Sequence, residues 1–185
     1  GIEGTGIASG VITAFGSIFV NGVEYATDRA SVTVNGVAAT PADLRIGQVV
    51  TVHGKIDANG TTGTATQVEF NATLQGPVST VDAAKGQILA MGQTVLIDAD
   101  TSLDDGQGGA LQLQNLPAGA QIEVSGFRDA NGDIRATRVE IKSGSSQSLS
   151  GRIDSVDASA KTLSIRGTTV DYQNAELRNF PNNRQ

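Results

Sequence analysis

The chain has 185 residues, of which 38% are apolar, 4% aromatic and 17% charged, with a formal net charge of −6. No apolar run approaches the ~20 residues of a membrane-spanning helix, and the absence of cysteine excludes a disulfide framework, thiolate metal ligands and a cysteine nucleophile. One histidine leaves little for imidazole chemistry, and an acidic chain without a basic run is a poor ligand for nucleic acid, whose affinity comes largely from phosphate neutralisation.

Residues 1–6, Gly1-Ile2-Glu3-Gly4-Thr5-Gly6, read as a flexible tether. They open on glycine, a beginning expected for an exported protein released from a signal peptide and also for a chain trimmed at its N-terminus. The 23 glycines exceed the usual ~7% and alternate with Val, Thr and Ile, the pattern of short strands joined by tight turns.

A first repeat covers 7–71. Its strands center on Ile12, Ile18–Val20, Val23–Tyr25, Val50–Gly54 and Ala65–Phe70, and Asn21-Gly22, Asn35-Gly36 and Asn59-Gly60 mark hairpin turns. Thr40-Pro41-Ala42-Asp43-Leu44 offers a Thr cap and a Pro at a first helical position before Gly47, so a single helical or 3₁₀ turn is expected. Alternation assigns Ile12, Phe15, Ile18, Val20, Val52 and Phe70 to its core.

A second repeat covers 72–143 and follows the same order. Gly76-Pro77-Val78 matches Gly10-Val11-Ile12, Leu116-Pro117-Ala118-Gly119 matches Leu44-Arg45-Ile46-Gly47, and Ile122-Glu123-Val124-Ser125-Gly126 matches Val50-Thr51-Val52-His53-Gly54. Ala136-Thr137-Arg138-Val139-Glu140 matches Ala65-Thr66-Gln67-Val68-Glu69. A third, partial repeat covers 144–185; it repeats the first strands around Gly151-Arg152-Ile153 but lacks the Leu-x-x-Gly connector and the closing hairpin, ending in Asn179-Phe180-Pro181 and a polar tail. The expected fold is therefore all-β: tandem small five-stranded barrels, OB-like or SH3-like, with the third incomplete.

Gly76-x-Val78-x-x-Val81-Asp82-Ala83, a strand ending in Gly92, then Leu116-x-x-Gly119, Val124-x-Gly126 and Ala136-Thr137-x-Val139-Glu140 resemble a family of bacterial small-barrel repeats known only as a domain of unknown function. The resemblance runs over residues 7–180. It implies OB-like modules in tandem, in exported or lipid-anchored envelope proteins, behind a Gly-rich tether. It brings no catalytic or binding residues.

Candidate chemistry is sparse. His53 lies on the face of its strand opposite Val50 and Val52, outward by period two. Asp98, Asp100, Asp104 and Asp105 form the densest acidic stretch, a possible weak cation loop, although Leu103 stands where a calcium loop takes glycine and Gly109 where it takes glutamate. Asp and Ser side chains making local turns in a solvated loop explain it better. Asp129-Ala130-Asn131-Gly132-Asp133 also imitates a calcium loop, but its alignment with Asp57-Ala58-Asn59-Gly60 makes it a hairpin turn. Arg128, Arg135 and Arg138 are the only clustered cations, interleaved with Asp129, Asp133 and Glu140 in a pattern of cross-strand ion pairs. No phosphate loop or nucleophile elbow is present, so no catalytic, cofactor or metal residue is assigned. In the third repeat, Ile153, Leu163, Ile165, Val170 and Tyr172 form an apolar set on strands too few to close, a partner edge for another protein or another copy.

These features lead to the expectation of a non-catalytic exported envelope protein, periplasmic or at the cell surface, acting as an interaction or spacer module. It would touch a membrane only through a lipid anchor upstream of residue 1, and it would need no cofactor. The alternatives are an OB-type module for an oligosaccharide or other oligomer, and a hydrolase using paired carboxylates.

Overall fold

Asn-Gly turns set the first reversals of the chain. Asn21 and Gly22 take φ of 52° and 76°, and Asn35 and Gly36 take 50° and 79°, the two successive left-handed residues that match a two-residue hairpin to strand twist. The second and third repeats turn at the equivalent places with Met91-Gly92 and Arg166-Gly167 in the same conformation. The turn residue folds back over the first strand: Asn21 donates from Nδ2 to the Ser9 carbonyl, and a Cβ on Gly10 would strike the Asn21 amide. Met91 covers Gly76 in the same way.

The computed structural model describes residues 5–177 and is all-β, with short strands and two single 3₁₀ turns. The first repeat comprises β1 (Thr5–Val11), β2 (Ile18–Val20), β3 (Val23–Ala26), β4 (Ser31–Val34), β5 (Val37–Ala39), a 3₁₀ turn at Pro41–Asp43, β6 (Val49–Ile56) and β7 (Thr62–Phe70). The second comprises β8 (Leu74–Asp82), β9 (Gln87–Ala90), β10 (Gln93–Leu96), β11 (Ser102–Asp104), a 3₁₀ turn at Leu113–Asn115, β12 (Gln121–Arg128) and β13 (Ile134–Ile141), followed by β14 (Ser148–Leu149). β15 (Ile153–Asp157), β16 (Thr162–Ile165) and β17 (Thr168–Asp171) form a separate three-stranded sheet.

Both complete repeats use one pairing scheme. In the second, β8 pairs with β9, β9 with β10, β10 with β13 in parallel, β13 with β12, and β12 with β8, so the pairing path returns to its start. In the first, β2–β3, the parallel β3–β7, β7–β6 and β6–β1 reproduce it, and an Ile12–Val20 bridge joins the ends. The register is shared down to a bulge at His53/Gly54 and at Ser125/Gly126.

Two expectations about the strands change. Thr5 and Gly6, read as tether, belong to β1 and pair with Lys55 and Gly54; residues 1–4 lie outside the described residues, as does the tail from 178 onward. The five-strand count is too low, because the Asn35-Gly36 turn builds an extra hairpin, β4–β5, whose first strand pairs in parallel with β7. Its counterpart in the second repeat is β11, parallel to β13, opened by a glycine-rich insertion that rejoins at an Asp104–Ala110 bridge. The 3₁₀ turn falls where Thr40-Pro41 placed it. There the Asp43 carboxylate accepts from the Thr40 amide and hydroxyl at 2.8 and 3.0 Å, which holds the Asp43 carboxyl below its ordinary range.

Each repeat has its own core. Ile12, Ile18, Val20, Leu44, Val52 and Phe70 are among the buried set of the first, and Leu74, Ile88, Val95, Ile122, Ile134 and Val139 of the second. Phe15 was expected inside but is 45% exposed. It sits between β1 and β2, where the strand alternation on which the expectation rested has lapsed, and lines a shallow hollow with Pro41 and Ala42.

Residues 5–149 pack as one unit, and the two repeats meet inside it through polar groups. The outer face of β12–β13 receives the connector that precedes β6. Thr137 Oγ1 donates to the Gly47 carbonyl at 2.6 Å, Arg138 Nη1 to the Ile46 carbonyl at 3.2 Å, and the Val49 amide to Ser125 Oγ at 2.7 Å. Asn35, at the β4–β5 turn, donates to Glu123 at 2.9 Å and accepts from the Ala72 amide at 2.8 Å. Gly47 has φ of 90°, and a Cβ there would lie 2.8 Å from the Thr137 carbonyl oxygen, so the contact requires glycine.

Candidate functional site

The four aspartates of the acidic loop do not converge. Asp98 Oδ1 accepts from the Asp100 amide at 2.9 Å, while its Oδ2 faces Arg135 at 3.4 Å in an exposed pair. Asp105 Oδ1 accepts from the Gln107 and Gly109 amides at 2.8 and 2.9 Å. Asp104 accepts from the Gly106 amide at 2.7 Å and pairs with Arg138 at 2.9 Å. The loop is thus a run of side-chain-to-backbone turns with two arginine contacts. Among the described residues no group of three or more His, Asp or Glu side chains is placed to hold a metal ion.

Burial pushes the Asp104 carboxyl upward. Hydrogen bonds from the Gly106 amide and from Arg138, together with the Arg138 charge, outweigh it and leave the group below the usual carboxylate range.

The arginine cluster disperses. Arg138 is buried on β13, its side chain 7% exposed, between Asp104 and Glu140 at 2.9 and 3.0 Å. One partner is across strands, on the parallel neighbour β11, and the other, Glu140, is on its own strand two residues on. Arg128 donates to Gln93 at 2.9 Å and to the Gly132 carbonyl at 2.8 Å, and Arg135 stays at the surface. Asp129 Oδ1 accepts from the Asn131 and Asp133 amides at 2.9 and 3.0 Å, a hairpin turn.

His53 lies outward on β6, half-buried, beside Ile7 and Gln67 in the register. Its equivalent in the second repeat, Ser125, is buried under the first repeat, as are Glu123 and Arg138, the equivalents of Thr51 and Gln67. Sequence reasoning missed this interface. The signal was present as substitutions at outward positions of an otherwise matched register.

In the third repeat, Ile153 stands opposite Ile165, and Leu163 lies between Val156 and Val170. One face therefore collects the apolar residues of β15–β17. None of the described residues from 150 onward is buried, and Ile153 and Val156 are 39% and 43% exposed. Tyr172, just after β17, is half-buried and donates its amide to the Lys161 carbonyl at 2.9 Å.

Three surface hollows gather little chemistry. One is lined by Thr80, Asp82, Gln87 and Thr94 among others, the second by Phe15, Pro41, Ala42, Leu44 and Arg45, the third by residues of β4–β5 with Asp43, Arg45 and Lys142. None of the three holds two carboxylates.

The repeated pairing scheme and the polar seam between its two complete copies define a tandem all-β repeat protein. The chain belongs to the family described as Domain of unknown function (DUF5666), whose model matches residues 7–69 and 75–140. No curated protein and no solved structure matches the chain.

Proposed function

We propose that the protein is a non-catalytic, exported component of the cell envelope that holds or spaces other proteins. Its complete repeats serve as OB-like barrels and its third repeat as the pairing element. The cyclic strand order, with a parallel step between the third and fifth strands of the cycle, supports the OB-like reading. The observation that carries the function is the β15–β17 sheet, with an apolar face left unburied and no strand beyond β15 or β17 paired to it among the described residues. Such a sheet gains by adding a strand or by covering its face.

Light scattering on the full chain, with pull-down from envelope extract, tests this. The expected result is self-association beyond that of Leu163→Lys, or an envelope protein that Leu163→Lys does not retain. A chain that associates no further and retains nothing more than Leu163→Lys does would refute it. Fractionation of cells expressing the protein from its own gene tests export, with recovery outside the cytoplasm expected.

A further inference from the structure

The seam between the complete repeats is directional. The first repeat gives its connector, Ile46 to Val49; the second gives the outer face of β12–β13. By the shared register, the first repeat also owns such a face, on β6–β7, and the second also owns such a connector. Both remain open. Gly119, equivalent to Gly47, has φ of 82°, but nothing lies within 4 Å of the position a Cβ would take. Ala118 and Gly119 are exposed where Gly47 is buried.

On the β6–β7 face, Thr51, His53 and Gln67 are only half-buried where Glu123, Ser125 and Arg138 are buried, and Ile7 beside His53 is 71% exposed. We propose that a second copy of this chain docks its Leu116–Gln121 connector on this β6–β7 face, so that copies join head to tail.

The chemistry of the seam carries over residue by residue. Thr66, in the place of Thr137, has the same hydroxyl contact to its neighbouring strand, at 3.1 Å to the His53 carbonyl against 3.0 Å from Thr137 to the Ser125 carbonyl. Turned outward as Thr137 is, it donates to the incoming Gly119 carbonyl. The Gln67 amide replaces the Arg138 guanidinium as donor to the Ala118 carbonyl, and the lone-pair nitrogen of a neutral His53 ring replaces Ser125 Oγ as acceptor for the Gln121 amide. Ile7 adds apolar area that the internal seam lacks. The contact joins two different patches, so it propagates along a line of copies unless rotation closes it into a ring. It uses side-chain faces of the complete repeats and is independent of the third-repeat sheet.

The cysteine-free chain permits a clean test. In the internal seam, the Cβ position at Gly47 lies 3.1 Å from the Arg138 Cβ, close to the ~3.5–4.5 Å of a disulfide. Gln67→Cys and Ala118→Cys are therefore made in separate full-length chains, mixed, and oxidised mildly, which leaves Gly119 and its left-handed turn as they are. The expected result is a cross-linked dimer in the mixture at several times the yield of either variant alone, and unchanged when both chains also carry Leu163→Lys. Equal yields in mixed and single samples would overturn the proposal. So would loss of the cross-link on Leu163→Lys, which would assign the association to the third repeat.

Discussion

Arg138 is held by two carboxylates in a place where water has little access, so its removal costs more than a surface ion pair would. Arg138→Met takes from Asp104 its ion-pair partner and leaves Glu140 only the half-exposed Lys142. It is expected to destabilise the chain by about 3–5 kcal/mol, measured by urea unfolding. Asp104 binds protons less readily in the fold than in the unfolded chain, so its stabilisation is complete above about pH 4 and is lost as the pH falls further. Asp104→Asn should flatten the acid limb of a stability profile. Tyr25 behaves oppositely: burial raises its pKa, so its contribution is intact below about pH 10 and falls away as the pH rises. Tyr25→Phe should flatten the alkaline limb. Little of this was visible beforehand. Arg138 reads as a surface residue because its strand neighbours alternate properly, and only the docking of the first repeat turns that outward position into an inward one.

Among the elements, the bulges at Gly54 and Gly126 tolerate little change. A Cβ at either would overlap a carbonyl oxygen of the facing strand, Thr64 or Arg135. Gly54→Ala and Gly126→Ala should each cost more than about 2 kcal/mol in chemical denaturation. Gly60→Asn, at a turn with open space and φ of 74°, should cost under about 1 kcal/mol. Elements with a local signature were legible in the sequence: the Asn-Gly turns, the Thr40-Pro41 3₁₀ turn, and the matched strands around Val52 and Val124. The β4–β5 hairpin was not, although its turn was recognised. β5 has three residues, and the parallel contact of β4 with β7 joins segments far apart in the chain, which no local periodicity encodes. The acidic loop was legible as turns, since its aspartates bond to amides two to four residues ahead.

For the molecule, the seam should make the two complete repeats unfold together. Gly47→Val places a branched side chain against the Thr137 carbonyl and Arg138 without touching either core. It is expected to split one unfolding transition into two, read by calorimetry and by tyrosine fluorescence from Tyr25 in the first repeat. A single transition at a merely lower midpoint would mean that coupling runs by another route. The third-repeat sheet, with nothing buried, should exchange its amide hydrogens fastest of the three.

The common register of the repeats also governs how the chain reaches its fold. β1 must find β6 near the far end of its repeat, and β8 must find β12 likewise, with Gly10 opposite Val50 and Gly76 opposite Ile122. High contact order makes each closure slow. During that wait β12 is a stereochemically acceptable mate for β1, and β6 for β8, because the two pairings are the same ladder written twice. Refolding from denaturant should therefore pass through strand-exchanged species that must reopen before the native seam can form. Synthesis from the N-terminus avoids the ambiguity, since β1 meets β6 before β12 has emerged. The expected signature is a slow refolding phase for the diluted full-length chain that is absent when folding accompanies translation.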